Sequence, residues 1–325
     1  MSGESEPARR VGLLILALIG LLWAQPAAGQ GAAALASSCA GGGPAAVQTT
    51  CADAALAALA LQHGYGLVMA AGGPVPASPS TAGNRLQGSP RWIVDAGLGW
   101  SSFRRPDLTD GQRRVRRTVA AAPRLSVVAG VFEGFAPAPT VGGMGAVDLV
   151  GEVRILPVPV MDGVSGRVAS FGAGVRVGVL RESFTFPGVT LTFMHRRAGA
   201  LDYRGEAEPR AEARIQPRVS SLRAVVGKDL WEIGVSGGVQ WDRMRGDARA
   251  RARVGGQDFA SGAVSLPASR STYFLGLNRT WVVTQLTGEL GWTPASGSGE
   301  GLQGTGPYSD PTSGLTGALS VRITY

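Results

Sequence analysis

Few side chains in this 325-residue chain could carry out nucleophilic or metal chemistry. It has two histidines, His63 and His195, and two cysteines, Cys39 and Cys51. Nucleophilic catalysis needs a base within hydrogen-bond reach of a hydroxyl, and an acidic or amide group that orients the base. No local motif joins His195 to a serine and a carboxylate, and two distant histidines do not predict a metal site. We therefore expect no catalytic residue, no metal and no cofactor.

The two cysteines follow closely after an apolar N-terminal stretch. In an oxidising compartment such a pair usually forms a disulfide, so we predict a Cys39–Cys51 bond. The alternative is a lipoprotein in which Cys39 is acylated. Cys39 lies far beyond Ala24, where the apolar stretch ends, and acylation would leave Cys51 without a partner.

Residues 1–29 have the pattern of a secretory signal peptide. Arg9 and Arg10 precede a continuous apolar run, and Ala27 and Gly29 are small residues that suit a cleavage site near Gln30. An uncleaved membrane anchor is the alternative, but the run from Val11 to Ala24 is shorter than the roughly 20 residues that a spanning helix needs.

Residues 30–90 are rich in Ala, Gly and Pro and almost without charge. We predict one short helix over Cys51–Gln62, with His63 solvated just past its end, and an extended linker over Pro74–Pro90. The segment could be an appendage in the periplasm or a plug inside a larger fold, and both arrangements stay open.

From Trp92 onward apolar and polar residues alternate with a period of two, which is typical of β-strands. The polar positions hold Gly, Ser, Thr and sparse charges of both signs, unlike the Lys- and Glu-rich surface of a soluble sandwich. Tryptophans recur at the ends of the apolar faces: Trp92, Trp100, Trp231, Trp241 and Trp292. Ten strands are predicted, over 92–100, 119–132, 147–155, 171–179, 189–194, 221–226, 231–241, 272–278, 282–292 and 315–325.

The last strand carries the most specific pattern. Its apolar face includes Leu319, Val321 and Ile323 and ends on the aromatic Tyr325. This resembles the closing strand of bacterial outer-membrane β-barrels, in which the terminal aromatic residue serves as an assembly signal. The resemblance covers 91–325 and implies an all-β, transmembrane, antiparallel up-and-down barrel of about ten strands, with eight or twelve as alternatives. Outer-membrane lipid and glycolipid and the barrel-assembly machinery are the implied partners, and the export signal argues against nucleic acid.

Barrels of this class have short periplasmic turns and long outer loops. We predict tight turns at Val226–Leu230 and Asn278–Arg279, and an even strand count that leaves the N-terminal segment in the periplasm. Long outer loops are predicted over Arg104–Arg117, Pro157–Gly166, Gly199–Ile215, Arg243–Val264 and Pro294–Gly314.

Arginine supplies almost all of the positive charge, and the formal net charge is +8. Outward guanidinium groups could contact anionic lipid or draw anions to a pore mouth; the alternative is a solvated strand extension with Asp107, Asp110, Asp242 and Asp247 as partial counterions. The candidates are Arg104, Arg105, Arg113, Arg114, Arg116, Arg117, Arg243, Arg245, Arg249, Arg251 and Arg253.

Inward-facing charges in a narrow barrel usually pair, because an unpaired buried charge costs several kcal/mol. Ten strands favour a constricted or closed interior, since wide aqueous channels need about sixteen. The predicted lumen charges are Asp95, Asp148, Glu152, Arg154, Arg176, Arg223, Glu232, Glu289 and Arg322.

Three functional hypotheses follow. The first is a narrow pore or passive channel for small polar or anionic solutes. The second is a closed structural barrel whose arginine-rich outer loops bind envelope glycolipid or surface partners. The third is a lipid-active enzyme that uses His195, for which an ordinary histidine at the rim beside Arg196 and Arg197 is the alternative.

Overall fold

The chain folds into a closed antiparallel barrel of ten strands. A computed structural model describes residues 28–82, 91–108, 115–135, 144–157, 164–165, 167–184, 186–206, 208–294 and 314–324. The barrel strands are β1 (Trp92–Pro106), β2 (Val115–Phe132), β3 (Ala146–Pro157), β5 (Arg167–Leu180), β6 (Gly188–Ala198), β8 (Arg210–Leu230), β9 (Ile233–Val254), β11 (Val264–Trp281), β12 (Thr284–Thr293) and β13 (Gly314–Thr324). Short strands β4 (Val164–Ser165), β7 (Leu201–Arg204) and β10 (Gln257–Ala260) lie beyond the barrel wall.

The sheet has no free edge in the barrel wall. Each barrel strand pairs with its neighbours in the chain, and β1 pairs with both β2 and β13. The long β8–β9 pairing completes the ring, from Arg210 opposite Arg253 to Leu230 opposite Ile233. Closure gives every strand two partners, as a wall surrounded by hydrocarbon requires. The predicted all-β, antiparallel ten-strand barrel is confirmed.

The two predicted tight turns are displaced toward the C-terminus. Val226–Leu230 lies in β8, and the chain reverses at Trp231, which has a φ of 66°. Asn278 and Arg279 lie in β11, and the reversal comes at Val282, with a φ of 51°. Gly, Asp and Asn are the more usual turn residues, but continued cross-strand pairing decides the turn position here. We call this end of the barrel the turn end and the opposite end the loop end.

Strands β8 and β9 project beyond most of the others at the loop end, with 21 and 22 residues. The predicted loop over Arg243–Val264 is therefore wrong, because β9 continues to Val254. Residues 247–253 alternate charged and alanine side chains, which is a strand pattern. The arginines face outward, and Ala248, Ala250 and Ala252 are buried on the inner side.

The outer face of the barrel wall is apolar. Large hydrophobic side chains are exposed around the ring, among them Leu125, Leu149, Phe171, Leu275 and Leu290. Rings border this belt at both ends. Tyr273 stacks on Trp292 with centroids 6.3 Å apart on the loop side, together with Trp241 and Trp100. Trp92, Trp231 and Trp281 lie on the turn side.

Two helices fill the loop-end half of the barrel. Helix α1 (Ala28–Ala40) packs on α2 (Ala45–Ala70) and on β9 and β11, and α2 packs on β1, β8 and β9. The predicted helix over Cys51–Gln62 is thus the middle of a longer one. Every α2 residue from Ala54 onward is buried, which fits its apolar composition on all sides. Among the residues that the structure describes, neither helix combines the length and hydropathy of a membrane span.

Glycines let α2 approach the wall closely. A Cβ at Gly64 would lie 2.4 Å from the Phe103 ring, and one at Gly66 would lie 2.5 Å from the Met244 sulfur. His63, predicted to be solvated past the helix end, is buried inside α2 beside Arg270, because the helix continues through both glycines.

The chain leaves α2 at Gly72 and Gly73, both with positive φ, and runs through the lumen to the turn end. We call residues 71–82 the strap, and residues 28–82 the plug. Residues 71–79, which include part of the predicted linker, are buried. The helices thus pack into the barrel, which is the plug arrangement that the sequence left open beside an appendage in the periplasm.

Candidate functional site

Inward-facing charged side chains form one cluster around the strap and the end of α2. They alternate with outward apolar residues along the strands, so the period of two directs them into the lumen. All of the predicted lumen charges except Glu232 are buried there. The cluster, which we call the lumen network, comprises Asp95, Arg124, Asp148, Glu152, Arg154, Arg176, Arg196, Arg223, Asp242, Glu289 and Arg322.

Glu152 on β3 is the centre of one part of the network. Its Oε1 accepts hydrogen bonds from Arg154 Nε at 2.7 Å and from Arg196 Nε at 2.8 Å. All three side chains are at most 1% exposed in this ion-paired arrangement. Two arginines on one carboxylate leave one positive charge in excess.

The remaining donors of the wall arginines are directed at main-chain oxygens of the plug. Arg154 donates from Nη1 to the Val68 carbonyl at 2.7 Å and from Nη2 to the Gly73 carbonyl at 3.3 Å. Arg124, paired with Asp95, also donates to the Gly73 carbonyl. Carbonyls at a helix C-terminus lack intrahelical partners and carry partial negative charge. The end of α2 therefore stabilises the excess positive charge.

Polar side chains of the wall also bind the strap further toward the turn end. Arg176 donates to the Ser78 carbonyl, and Arg322 donates to the Ser78 hydroxyl at 2.7 Å. The amide N–H of Ala82 donates to Asp148 at 2.9 Å, and that of Ala77 to Glu289 at 3.2 Å. The strap thus accepts hydrogen bonds from arginines of the wall and donates hydrogen bonds to its carboxylates.

Glu289 also pairs with Arg223, whose guanidinium lies 3.6 Å from the Phe274 ring centroid and donates to Gln240 at 3.0 Å. Gln240 in turn donates to the Ala70 carbonyl at 3.2 Å and to Asp242 at 3.0 Å. The network is therefore continuous from wall to helix.

Glu232 is not in the lumen. It lies exposed in the β8–β9 turn and pairs with Arg279 at 3.1 Å, because the turn comes later than predicted. Arg105 is likewise wrong as an outer anion contact: it is buried, donates to Thr118 at 2.8 Å and lies 4.8 Å from the Tyr203 ring centroid. Arg104, Arg116 and Arg117 are exposed. Arg113, Arg114 and Asp110 lie outside the described residues.

Sequence reasoning missed several members of the network. The pattern does not predict Arg124, because Pro123 interrupts the alternation of its strand, and it places Arg196 at the rim beside His195. It also places Asp242 outside as a counterion, but Asp242 is buried and accepts from Gln240. The period of two, applied from Trp241 through Arg243, would have placed Asp242 inside.

The predicted Cys39–Cys51 disulfide is confirmed, with Cα atoms 5.7 Å apart, and joins α1 to α2. His195 faces outward on β6, and its Nδ1 lies 2.9 Å from Ser220 Oγ on β8. Among the described side chains no carboxylate contacts this ring, and no three histidines, cysteines or acidic residues come together in a metal-binding arrangement.

The predicted assembly signal lies on the outer face of β13, where Leu319 and Val321 are exposed and Ile323 is half-buried. Tyr325 lies outside the described residues. The aromatic girdle and assembly roles of these residues remain predictions.

No protein-family model matches the chain, and no curated protein matches it. In structure it is similar to the translocator domain of the autotransporter NalP from Neisseria meningitidis, at 11% identity and a TM-score of 0.42, over 74% of this chain and 89% of that one. It is similar to the outer membrane protease OmpT from Escherichia coli, at 9% identity and a TM-score of 0.36, over 73% and 96%. The toluene transporter TodX from Pseudomonas putida matches at 9% identity and a TM-score of 0.30, over 80% and 96%.

Identities and TM-scores this low assign no activity to the chain. Its own strand register and apolar outer face are those of a bacterial outer-membrane β-barrel in general architecture.

Proposed function

We propose that this protein is a plugged outer-membrane barrel: its own N-terminal segment closes the lumen, and its outer wall is the surface that meets other molecules. The apolar outer belt supports the membrane location, and the predicted export signal agrees with it. The observation that carries the proposal is the set of bonds from wall arginines to plug carbonyls, from Arg154 to Val68 and from Arg124 to Gly73.

Those bonds favour a closed lumen on energetic grounds. A hydrogen bond that involves a charged group contributes about 1.5–3 kcal/mol, and withdrawing the plug would remove such bonds from several arginines at once. If the plug left the lumen, water would have to replace each of these hydrogen-bond partners.

Planar-bilayer conductance tests the proposal. We expect refolded full-length protein to insert and to give no steady, discrete conductance. A variant that lacks residues 28–82 should conduct if its barrel forms. Steady conductance of the full-length protein would reject the closed barrel.

A passive channel for small polar or anionic solutes is the second candidate. It is favoured by the excess of arginine over carboxylate in the lumen network, which would attract anions if the plug moved. Under this candidate the full-length protein conducts and prefers chloride to potassium.

The His195–Ser220 contact is the basis for the third candidate, a lipid hydrolase. Catalysis would need a group that orients the imidazole, and the described residues supply none. We expect His195→Ala to leave any lipid-hydrolysing activity of purified protein unchanged, and loss of such activity in that variant would revive the candidate.

A further inference from the structure

Three arginines lie side by side on the outer wall, on adjacent strands. Arg197 on β6 is directly opposite Arg218 on β8, and Arg218 is directly opposite Arg245 on β9. All three side chains face outward. Side chains directly opposite on neighbouring strands have Cβ atoms about 4.5–5.5 Å apart, and like charges in that position destabilise the sheet. We call these residues the outer arginine row.

The described carboxylates neutralise only one of the three charges in this row. Arg218 pairs with Asp247 at 2.8 Å, while no described carboxylate lies within ion-pair distance of Arg197 or Arg245. Arg218 Nε and the Nε of neighbouring Arg243 are buried, and neither has a hydrogen-bond partner among the described residues. These two Nε donors therefore lack an acceptor among the described residues.

The row lies at a defined height above the apolar belt. Two residues toward the turn end, His195, Ser220 and Arg243 form the next row. Two residues further, Phe193, Leu222 and Trp241 form the upper border of the apolar belt on these three strands. On β5 the belt extends higher, to Phe171 opposite Arg197. Four residues of strand rise about 13 Å, and a strand tilt of about 40° reduces this to roughly 10 Å along the membrane normal. Headgroups occupy about 5–8 Å beyond the hydrocarbon on each side, and the long arginine side chains can extend back to them.

We propose that Arg197, Arg218 and Arg245 bind a phosphate group of an outer-leaflet glycolipid whose acyl chains lie against Phe193, Leu222 and Trp241. Arginine matches phosphate because its fork of N–H donors can bond two oxygens at once. Arg243 and the Ser220 hydroxyl lie between the phosphate and the acyl chains, where they supply further donors. This inference rests on the proposed outer-membrane location and is independent of whether the lumen is closed.

The test uses full-length protein refolded into phosphatidylcholine vesicles with increasing amounts of diphosphorylated lipid A. The readout is the temperature at which the folded, fast-migrating form is lost on a gel. We expect lipid A to raise this temperature for wild-type protein, and inorganic phosphate at the same phosphate concentration to leave it unchanged. The rise should disappear in 1 M salt, where the screening length falls to about 3 Å.

The variant Arg197→Gln/Arg218→Gln/Arg245→Gln removes the row. A basic residue near an anionic lipid surface contributes about a fivefold gain in binding. The triple variant should therefore need roughly 100-fold more lipid A than wild type to reach half of the maximum rise in temperature. The matched control Arg214→Gln/Arg249→Gln/Arg251→Gln removes the same charge from outward positions of β8 and β9 further from the belt. It should respond like wild type.

An unchanged response of the row variant would overturn the proposal, and so would an equal loss in the control. If the triple variant does not refold, Arg245→Gln alone should need about fivefold more lipid A. Protection by inorganic phosphate equal to that by lipid A would show an adventitious ion only and overturn the lipid as ligand. Failure of the wild-type protein to insert into vesicles would instead refute the proposed function, whereas insertion without any lipid A effect refutes this inference alone.

Discussion

The arginines inside the barrel and those on its outer wall come from the same strands but have different partners. On β6, buried Arg196 donates to Glu152 and to Ser221, while the next residue, Arg197, faces outward opposite Arg218. On β8, Arg223 is enclosed by Glu289, Gln240 and Phe274, while Arg218 has a single partly exposed aspartate.

The difference shows where each partner comes from. Inside, the low dielectric makes an unpaired charge costly, and the chain itself supplies carboxylates and plug carbonyls. Outside, solvent and headgroups allow like charges to remain adjacent, so the missing anion can be supplied by another molecule. Removing a charged side chain should therefore lower the free energy of unfolding inside the barrel and raise it in the outer arginine row.

The largest expected effect is that of Glu152→Gln. It leaves Arg154 and Arg196 buried without their shared carboxylate, so we expect the free energy of unfolding to fall by about 3–5 kcal/mol. Urea unfolding of refolded protein, followed by tryptophan fluorescence, measures the change. The control Glu232→Gln removes an exposed partner of Arg279 and should cost about 0–1 kcal/mol. Equal losses in the two variants would contradict the comparison.

A smaller loss is expected from Glu289→Gln. Only one arginine, Arg223, loses its carboxylate here, whereas Glu152 is shared by two, and Arg223 keeps Gln240 and Phe274. The variant loses the negative charge of the acceptor, so we expect the free energy of unfolding to fall by about 1.5–3 kcal/mol. The same urea experiment applies, and a loss as large as that of Glu152→Gln would show that Gln240 and Phe274 do not stabilise Arg223.

The outer wall should respond with the opposite sign. Arg245→Gln removes one of three adjacent like charges, so in detergent without glycolipid we expect the free energy of unfolding to rise by about 0.2–1 kcal/mol. The control Arg279→Gln removes an exposed arginine that has its own carboxylate and should show no such gain. Destabilisation by Arg245→Gln would mean that the chain already supplies its anion.

The smallest expected effect concerns Asp258 on β10. Hydrogen bonds from Arg253 at 2.6 and 2.7 Å hold the pKa of this exposed carboxyl below its usual value. A depressed folded-state pKa contributes stability that is present above the unfolded value, about 3.9, and is lost as the pH falls through the folded value. The difference in free energy of unfolding between wild type and Asp258→Asn should therefore vanish once the pH is below the folded-state pKa. A difference that persists there would show that this bond does not depend on charge.

Local sequence pattern is sufficient to predict the wall, because each strand reveals its two faces by a period of two. That pattern predicts the inward position of Asp95, Glu152 and Arg322 without knowledge of their partners. It fails at the turns, since Trp231 and Val282 are unusual turn residues, and it fails for His63, whose helix continues through two glycines. In each case long-range pairing or packing overrides the local signal.

The sequence by itself therefore determined the closed antiparallel barrel, its apolar exterior and the disulfide near the N-terminus. Only the tertiary structure decided that the plug packs into the barrel, that Arg124 and Arg196 join its charge network, and that Arg197, Arg218 and Arg245 form one row. The physical reason is that the direction in which a side chain faces follows from its own strand. Its partner depends on the register of strands far apart in the chain and on the path of the segment that they enclose.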